Sequence, residues 1–273
     1  MRILFIGEIV GKAGVFCVKN LLSKLRKERE IDFVVANGDN VTGGFGLGKS
    51  HAIYLRKLGI DVLTGGECIY YKKDMVEHIG KVPYILRPAN YPPGNPGRGY
   101  GIYTVGEKKI AVVSLLGQSG FNRVHLSNPY TLLPQIVNRI QETTPFILVD
   151  FHAATTAEKY SLFFFAEGMV SAVIGSHSRV LTADGRVLPG GTAILCGAGR
   201  TGSLNSVGGL DPEIEIQKFL TQIPERSKDA WDLLELQGAV IELGDNGKAR
   251  SIETIRIPCT EVPDERNRNS DPD

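Results

Sequence analysis

Phe146-Ile147-Leu148-Val149-Asp150-Phe151-His152 runs from apolar side chains straight into a carboxylate and an imidazole. A short apolar run of this kind reads as a strand buried on both faces, as in the sheet of an α/β protein. The residues that carry chemistry then stand where the strand ends, which is where open α/β sheets gather their sites. Three further stretches repeat the pattern: Ile3 to Ile6 leads into Gly7-Glu8, Phe33 to Ala36 into Asn37-Gly38-Asp39-Asn40, and Ala172 to Ile174 into Gly175-Ser176-His177. A fifth segment, Gly65-Gly66-Glu67-Cys68, follows a shorter strand expected over Asp61 to Thr64. Glycine at a strand exit lets the chain turn sharply and bring a carboxylate or imidazole inward. Glu8, Asp39, Glu67, His152 and His177, delivered in this way, make a metal site assembled from several loops. Oxygen donors suit a hard cation and imidazole draws selectivity toward transition metals, so a divalent ion such as Fe or Mn is expected.

The rest of the chain is arranged around these strands. Val15, Val18, Leu21, Leu22 and Leu25 have helical spacing over Val15 to Arg29, with a basic outer face read as solvated. Further helices are expected at Ala52 to Leu58, Lys72 to Ile79, Tyr130 to Gln141 and Glu213 to Leu220. Another starts near Thr156, where Thr155 and Glu158 have capping-box spacing. Strands are expected at Tyr84 to Arg87 and, joined by Gly106-Glu107-Lys108, at Gly101 to Val105 and Lys109 to Leu115. Asn90 to Gly101 is too rich in Pro and Gly for regular structure. A hairpin through Asp184-Gly185 and a last strand pair at Ala239 to Leu243 and Ser251 to Ile257 complete the reading. Alternating strands and helices with added antiparallel strands predict two sheets packed together with helices outside. No repeat or linker divides the chain, so residues 1–258 read as one domain and 259–273 as a polar, disordered tail.

Bulk properties narrow the class. A chain of 273 residues with 42% hydrophobic and 22% charged residues is ordinary for a soluble globular protein. Its net charge of +1 gives no push toward nucleic acid, and no apolar stretch has the length to span a bilayer. Cys17, Cys68, Cys196 and Cys259 are scattered, without metal-binding pairs or a disulfide framework, which points to the reducing cytoplasm. Self-association into a homo-oligomer stays open.

Gly43-Gly44-Phe45-Gly46-Leu47-Gly48-Lys49-Ser50 satisfies the phosphate-loop pattern G-x-x-x-x-G-K-[ST], and the strand ending in Asp150 mimics its usual companion. Context argues against a triphosphatase. A phosphate loop begins where its strand ends, whereas Asn37 to Thr42 intervene here and include the candidate ligand Asp39.

MRILFIGEIVGK, NGDNVTGGFGL, RPANYPPGNPGRG, DFHAATTAEK and IGSHSRVLTADGRVLPGGTA resemble the YmdB-like bacterial metallophosphoesterases, from Met1 to about Ile257. That family belongs to the calcineurin-like phosphoesterases, described as 2′,3′-cyclic-nucleotide 2′-phosphodiesterases. The resemblance implies a four-layer α/β/β/α sandwich with a dinuclear metal site and a small phosphodiester or nucleotide substrate. Carried over by position, one metal would take Glu8, Asp39, Asn40 and Arg179, where the family has Asp, Glu, Asn and His. The other would take Asp39, Glu67, His152 and His177, with Glu67 in place of Asn. Cys68 stands where the family has the His thought to protonate the leaving group.

These departures are unequal. The exchanges at Glu8 and Asp39 keep an anionic donor but move it by one methylene in opposite senses, and Glu67 strengthens an oxygen ligand. Arg179 stays protonated and offers no lone pair, so one metal position loses a ligand and gains a fixed positive charge. Glu8, Asp39 and Glu67 carry three negative charges, which one divalent ion plus Arg179 balances; one ion is therefore expected rather than two. Arg179 and Asn40 are expected to hold the phosphate, and Cys68 to act in catalysis only if its pKa allows. The leading expectation is a metal-dependent phosphodiesterase of reduced or altered activity. Its rival is an impaired relative serving as a metal- or nucleotide-binding sensor or scaffold.

Overall fold

The computed structural model describes residues 1–121, 126–261 and 264. In chain order its first elements are β1 (Arg2–Ile6), β2 (Glu8–Ile9), α1 (Gly11–Glu28), β3 (Phe33–Asn37), α2 (Lys49–Lys57), β4 (Val62–Thr64), α3 (Lys73–His78) and β5 (Ile85–Leu86). Next come β6 (Tyr100–Val105), β7 (Lys108–Leu116), α4 (Pro129–Gln141), β8 (Ile147–His152), α5 (Thr156–Phe165) and β9 (Ala172–Ser176). The chain continues with β10 (Arg186–Val187), β11 (Ala193–Leu195), β12 (Arg200–Ser203), α6 (Pro212–Thr221), β13 (Leu234–Leu243) and β14 (Ala249–Pro258).

Two sheets form. The first has the order β2-β12-β13-β1-β3-β4-β5, with β14 also paired to β13. The second has the order β10-β11-β9-β8-β7-β6. The centre of each is parallel: β1, β3, β4 and β5 in one, and β7, β8, β9 and β11 in the other. These central strands are apolar over most of their length because both faces are covered. Ile3 and Phe5 of β1 point between the sheets with Leu148 and Ile174, while Leu4 and Ile6 pack outward with the apolar residues of α1 and α2. Ile147, Val149 and Phe151 of β8 pack outward with α4 and α5. The result is the expected four-layer α/β/β/α sandwich. No helix of the described residues is long and apolar enough to cross a membrane.

Strand alternation places the site. Phe146 and Leu148 lie between the sheets, so Asp150 and His152, two and four residues on, face the same way. Phe33 and Val35 put Asn37 between the sheets, Val62 does so for Thr64, and Ala172 and Ile174 do so for Ser176. The inter-sheet layer is therefore hydrocarbon along most of its length and polar where the parallel strands end.

Several local expectations are corrected. The hairpin after β10 turns at 188–192, closed by Leu188 N donating to Thr192 O, not at Asp184-Gly185. The Asp184 carboxylate instead accepts from Tyr160 Oη, Thr182 Oγ1 and the Cys196 amide. The capping box is half made: Thr155 Oγ1 accepts from Glu158 N, but the Glu158 carboxylate reaches across to the amides of Gln118 and Ser119. Helix α1 begins four residues before Val15, its Lys12 amide bound by Asp229, and α2 begins at Lys49, its amide bound by Asp74. That carboxylate stands where a phosphate loop would hold phosphate, and Lys49 is exposed, which removes the triphosphatase reading. Pro258 ends β14, and Cys259 is buried with its amide on Leu234 O. Most of the tail expected from 259 onward (262–263 and 265–273) lies outside the described residues.

Candidate metal centre

Glu67, His152 and His177 bring one ligand atom each within 4.8 Å of one another, and Asp39, Glu67 and Cys68 do the same. Two candidate ligands come from the strand ends of each sheet: Asp39 and Glu67 follow β3 and β4, while His152 and His177 end or follow β8 and β9. Asp39 and His152 are fully buried. His152 Nε2 is 2.8 Å from Glu67 Oε2 and 3.8 Å from Asp39 Oδ2, and His177 Nδ1 is 3.4 Å from Glu67 Oε1. The 2.8 Å approach lies outside hydrogen-bond geometry, so Glu67 Oε2 is buried without a directed donor. Asp39 is aimed by the backbone, accepting from Gly66 N at 2.5 Å and Cys68 N at 3.0 Å. Gly66 is required here, since a Cβ would overlap the His152 ring.

A polar network behind His152 sets its orientation. Ser176 Oγ donates to Asp150 Oδ1 at 2.6 Å and lies 2.8 Å from His152 Nδ1. Thr64 Oγ1 and Asn37 Nδ2 donate to Asp150 Oδ2. With its own proton given to Asp150, the Ser176 oxygen is placed to accept from Nδ1, and in that tautomer of the neutral ring Nε2 carries the lone pair. Asn37, Asp150 and Ser176 lie in the strand-end segments expected to carry chemistry but were assigned no role there, and Thr64 was missed. Phe121 was missed as well. Its ring stacks 6.2 Å from His152 and lies edge-on 4.9 Å from His177, walling one side of the pair.

Charge follows the same pattern. Burial disfavours ionisation of Asp39 and, against the pull of His152, pushes its pKa up to about 6. Burial lowers the pKa of His152, but Glu67, Asp39 and Glu8 outweigh it and hold the imidazole up at about 10. Glu67 is buried too, yet His152 and His177 hold it below the usual carboxylate range. Three carboxylates therefore draw positive charge to the point between Glu67 and His152. Oxygen and nitrogen donors, an undirected carboxylate oxygen and an Nε2 that faces it fit a divalent ion there, which would take the place of the Nε2 proton.

The other expected position is different. Glu8 is buried, and its Oε2 accepts from Asn40 Nδ2 at 2.7 Å and Arg179 Nε at 3.3 Å, leaving Oε1 unpartnered. A guanidinium and an amide N–H directed at this carboxylate do not fit a second cation. Arg179 also donates to Gly208 O, and both His177 and Arg179 have positive φ, 83° and 53°. Two non-glycine residues in that region mark a strained loop at the site. The Cys68 thiol is raised above its ordinary pKa, first by burial and then by the charges of Asp39 and Glu67.

The sequence pattern of the family described as YmdB-like protein matches residues 4–255. A 2′,3′-cyclic-nucleotide 2′-phosphodiesterase of Bacillus subtilis (strain 168) is 38% identical over 258 residues, covering 94% of this chain and 97% of its own. A crystal structure from Mycoplasma pneumoniae described as a novel phosphatase has TM-score 0.88 at 29% identity, over 99% of this chain and 97% of that one. A Thermus thermophilus crystal structure described as a hypothetical protein has TM-score 0.88 at 30% identity, over 94% and 99% of the two chains. Pattern, sequence and structure agree across both sheets, and the chain belongs to the YmdB-like protein family.

Proposed function

We propose that this chain is a metal-dependent phosphoesterase that hydrolyses a phosphodiester such as a 2′,3′-cyclic nucleotide. The observation that carries this reading is the convergence of Glu67, His152 and His177, with Asp39 beside them, on one buried point. The activity for which the Bacillus subtilis relative is named supports the substrate class.

One divalent ion, Fe or Mn, is assigned to Asp39, Glu67, His152 and His177. When bound, it supplies a Lewis acid for a phosphoryl oxygen and lowers the pKa of a water. The chain's own residues do the rest. Ser176 and Asp150 hold the His152 tautomer, Phe121 walls the imidazoles, and Arg179 and Asn40, both on Glu8, offer N–H donors to the phosphate. Cys68 keeps its proton in this environment and is a weak acid toward a leaving group. That last point favours a second reading, in which the chain binds metal and nucleotide without turnover.

Elemental analysis of the purified protein, with hydrolysis of 2′,3′-cyclic AMP before and after chelation, separates the readings. Near one ion per chain, with activity lost on chelation and restored by the ion, supports the enzyme. Metal and nucleotide binding without turnover supports the second reading, and no bound metal sinks both. The four free, buried cysteines fit a cytoplasmic setting, and light scattering on the same preparation decides between monomer and homo-oligomer.

A further inference from the structure

The glycine-rich loop that imitates a phosphate loop has another use. It leaves the metal ligand Asp39 and closes on itself, with Gly46 N donating to Asp39 O and Thr42 N to Gly46 O, both at 2.8 Å. Gly43, Gly44 and Gly46 take positive φ values of 66°, 71° and 86°, which fixes a tight path, and Leu47 is buried as its anchor. Phe45 is thereby held at the tip with 52% of its surface exposed. On its other side the loop packs against the segment that follows Glu67: a Cβ at Gly46 would stand 3.1 Å from Cys68 O and 3.3 Å from Tyr71 Cβ.

This contact makes an aromatic rim beside the metal ligands. The rings of Phe45 and Tyr71 are 4.5 Å apart, and Tyr71 is 39% exposed. Lys72 Nζ lies over the Phe45 ring at 5.9 Å. The Arg226 guanidinium reaches to 3.4 Å from the Cβ position of Gly43 and lies close enough to Lys72 for their charges to oppose. Exposed aromatic faces with two cations suit a flat aromatic ligand that carries negative charge. A nucleotide has this chemistry, and a cyclic phosphate at the metal leaves its base directed away from the reacting centre.

We propose that Phe45 is the stacking face for the substrate's nucleobase, with Tyr71, whose ring is tilted 50° to it, as its buttress and Lys72 and Arg226 as its cationic edge. This rests on the phosphoesterase reading for the placement of the phosphate. The platform makes the substrate a nucleotide, as distinct from a simple sugar or alkyl phosphodiester. Base–aromatic stacking is worth about 1–3 kcal/mol per base, so removing Phe45 is expected to weaken nucleotide binding about tenfold.

Calorimetric titration of the metal-loaded protein with adenosine 3′-monophosphate and with the base-free 1-O-methylribose 3-phosphate tests this. Phe45→Ala should weaken the first about tenfold and leave the second unchanged, while Phe45→Trp should retain both. Equal affinity of wild type and Phe45→Ala for the nucleotide, equal loss of both ligands, or no nucleotide binding by wild type would each overturn the proposal. Turnover of 2′,3′-cyclic AMP is measured separately. Stacking-dependent binding without turnover sinks the phosphoesterase reading and keeps the platform. Turnover with the same KM in Phe45→Ala sinks the platform alone.

Discussion

At the scale of single residues, Ser176 links the carboxylate of Asp150 to Nδ1 of the His152 imidazole and so turns Nε2 toward Glu67. Removing such a partner of a metal-ligating His typically costs about 10–100-fold in metal affinity. Ser176→Ala is expected to lose affinity by that much in a chelator competition, whereas His152→Ala and His177→Ala should retain no ion after dialysis. The metal-free protein also carries a pH signature. The His152 pKa is held at about 10, above its ordinary value of 6.5. The stability it contributes is therefore full below about 6.5 and is lost as pH rises through about 10. Thermal unfolding of the metal-free chain should show this loss, and His152→Gln should flatten it; an unchanged profile in the variant would remove His152 as the cause. Cys68→His with Arg179→His and Glu8→Asp returns these three positions to the residue types that the family resemblance implies. A second bound ion and faster hydrolysis of 2′,3′-cyclic nucleotides are the expected outcomes. A folded triple variant that gains neither shows that these positions do not limit catalysis.

At the scale of elements, the first turns of α1 and α2 are satisfied by carboxylates from far along the chain or from a neighbouring helix. Asp229 binds the Lys12 amide and Asp74 the Lys49 amide. Asp74→Ala is expected to cost about 1 kcal/mol of stability in a denaturant titration, the usual value of a lost N-terminal cap. Lys49→Ala should change neither nucleotide affinity nor any phosphodiesterase activity, because its side chain is exposed at the start of α2. Loss of ATP binding in this variant, with ATP binding shown in the wild type, would restore the phosphate-loop reading. Gly66 lies just beyond β4, and a Cβ there would collide with His152 Nε2. Since Ser176 and Asp150 hold that ring from behind, Gly66→Ala should lose metal as completely as His152→Ala does.

For the whole molecule, the proposed ion position would be a clasp between the two sheets, with Asp39 and Glu67 from one and His152 and His177 from the other. A ligand that binds only the assembled sandwich stabilises it by mass action, about 2.7 kcal/mol at a hundredfold excess over Kd. For a chain of this length that corresponds to a rise in Tm of roughly 5–10 °C. Scanning calorimetry with and without Mn should show the rise in wild type and its absence in Gly66→Ala. A wild-type Tm that is indifferent to the ion would mean that the four ligands do not act together.

The sequence by itself determined the apolar central strands and, through them, the layers, but not β2, β12 or the first five residues of β13. Apolar runs such as Ile3 to Ile6 and Phe146 to Val149 need cover on both faces, and only sheets packed between helices and each other provide it. It also determined which residues stand at the strand ends, because alternation carries the inward direction from Phe146 and Leu148 to Asp150 and His152. Tertiary structure decided what depends on separation in space. Asp184 became a pin for Cys196 and not a turn, Glu158 capped a distant loop and not its own helix, and Arg179 came to Glu8 across 171 positions of sequence. The same holds for the Asp150–Ser176–His152 network and for Phe121 against the two imidazoles. A strand pattern fixes the side on which a group points; which neighbour it meets there is set by how β3, β4, β8 and β9 stack across two sheets, and local sequence does not encode that register.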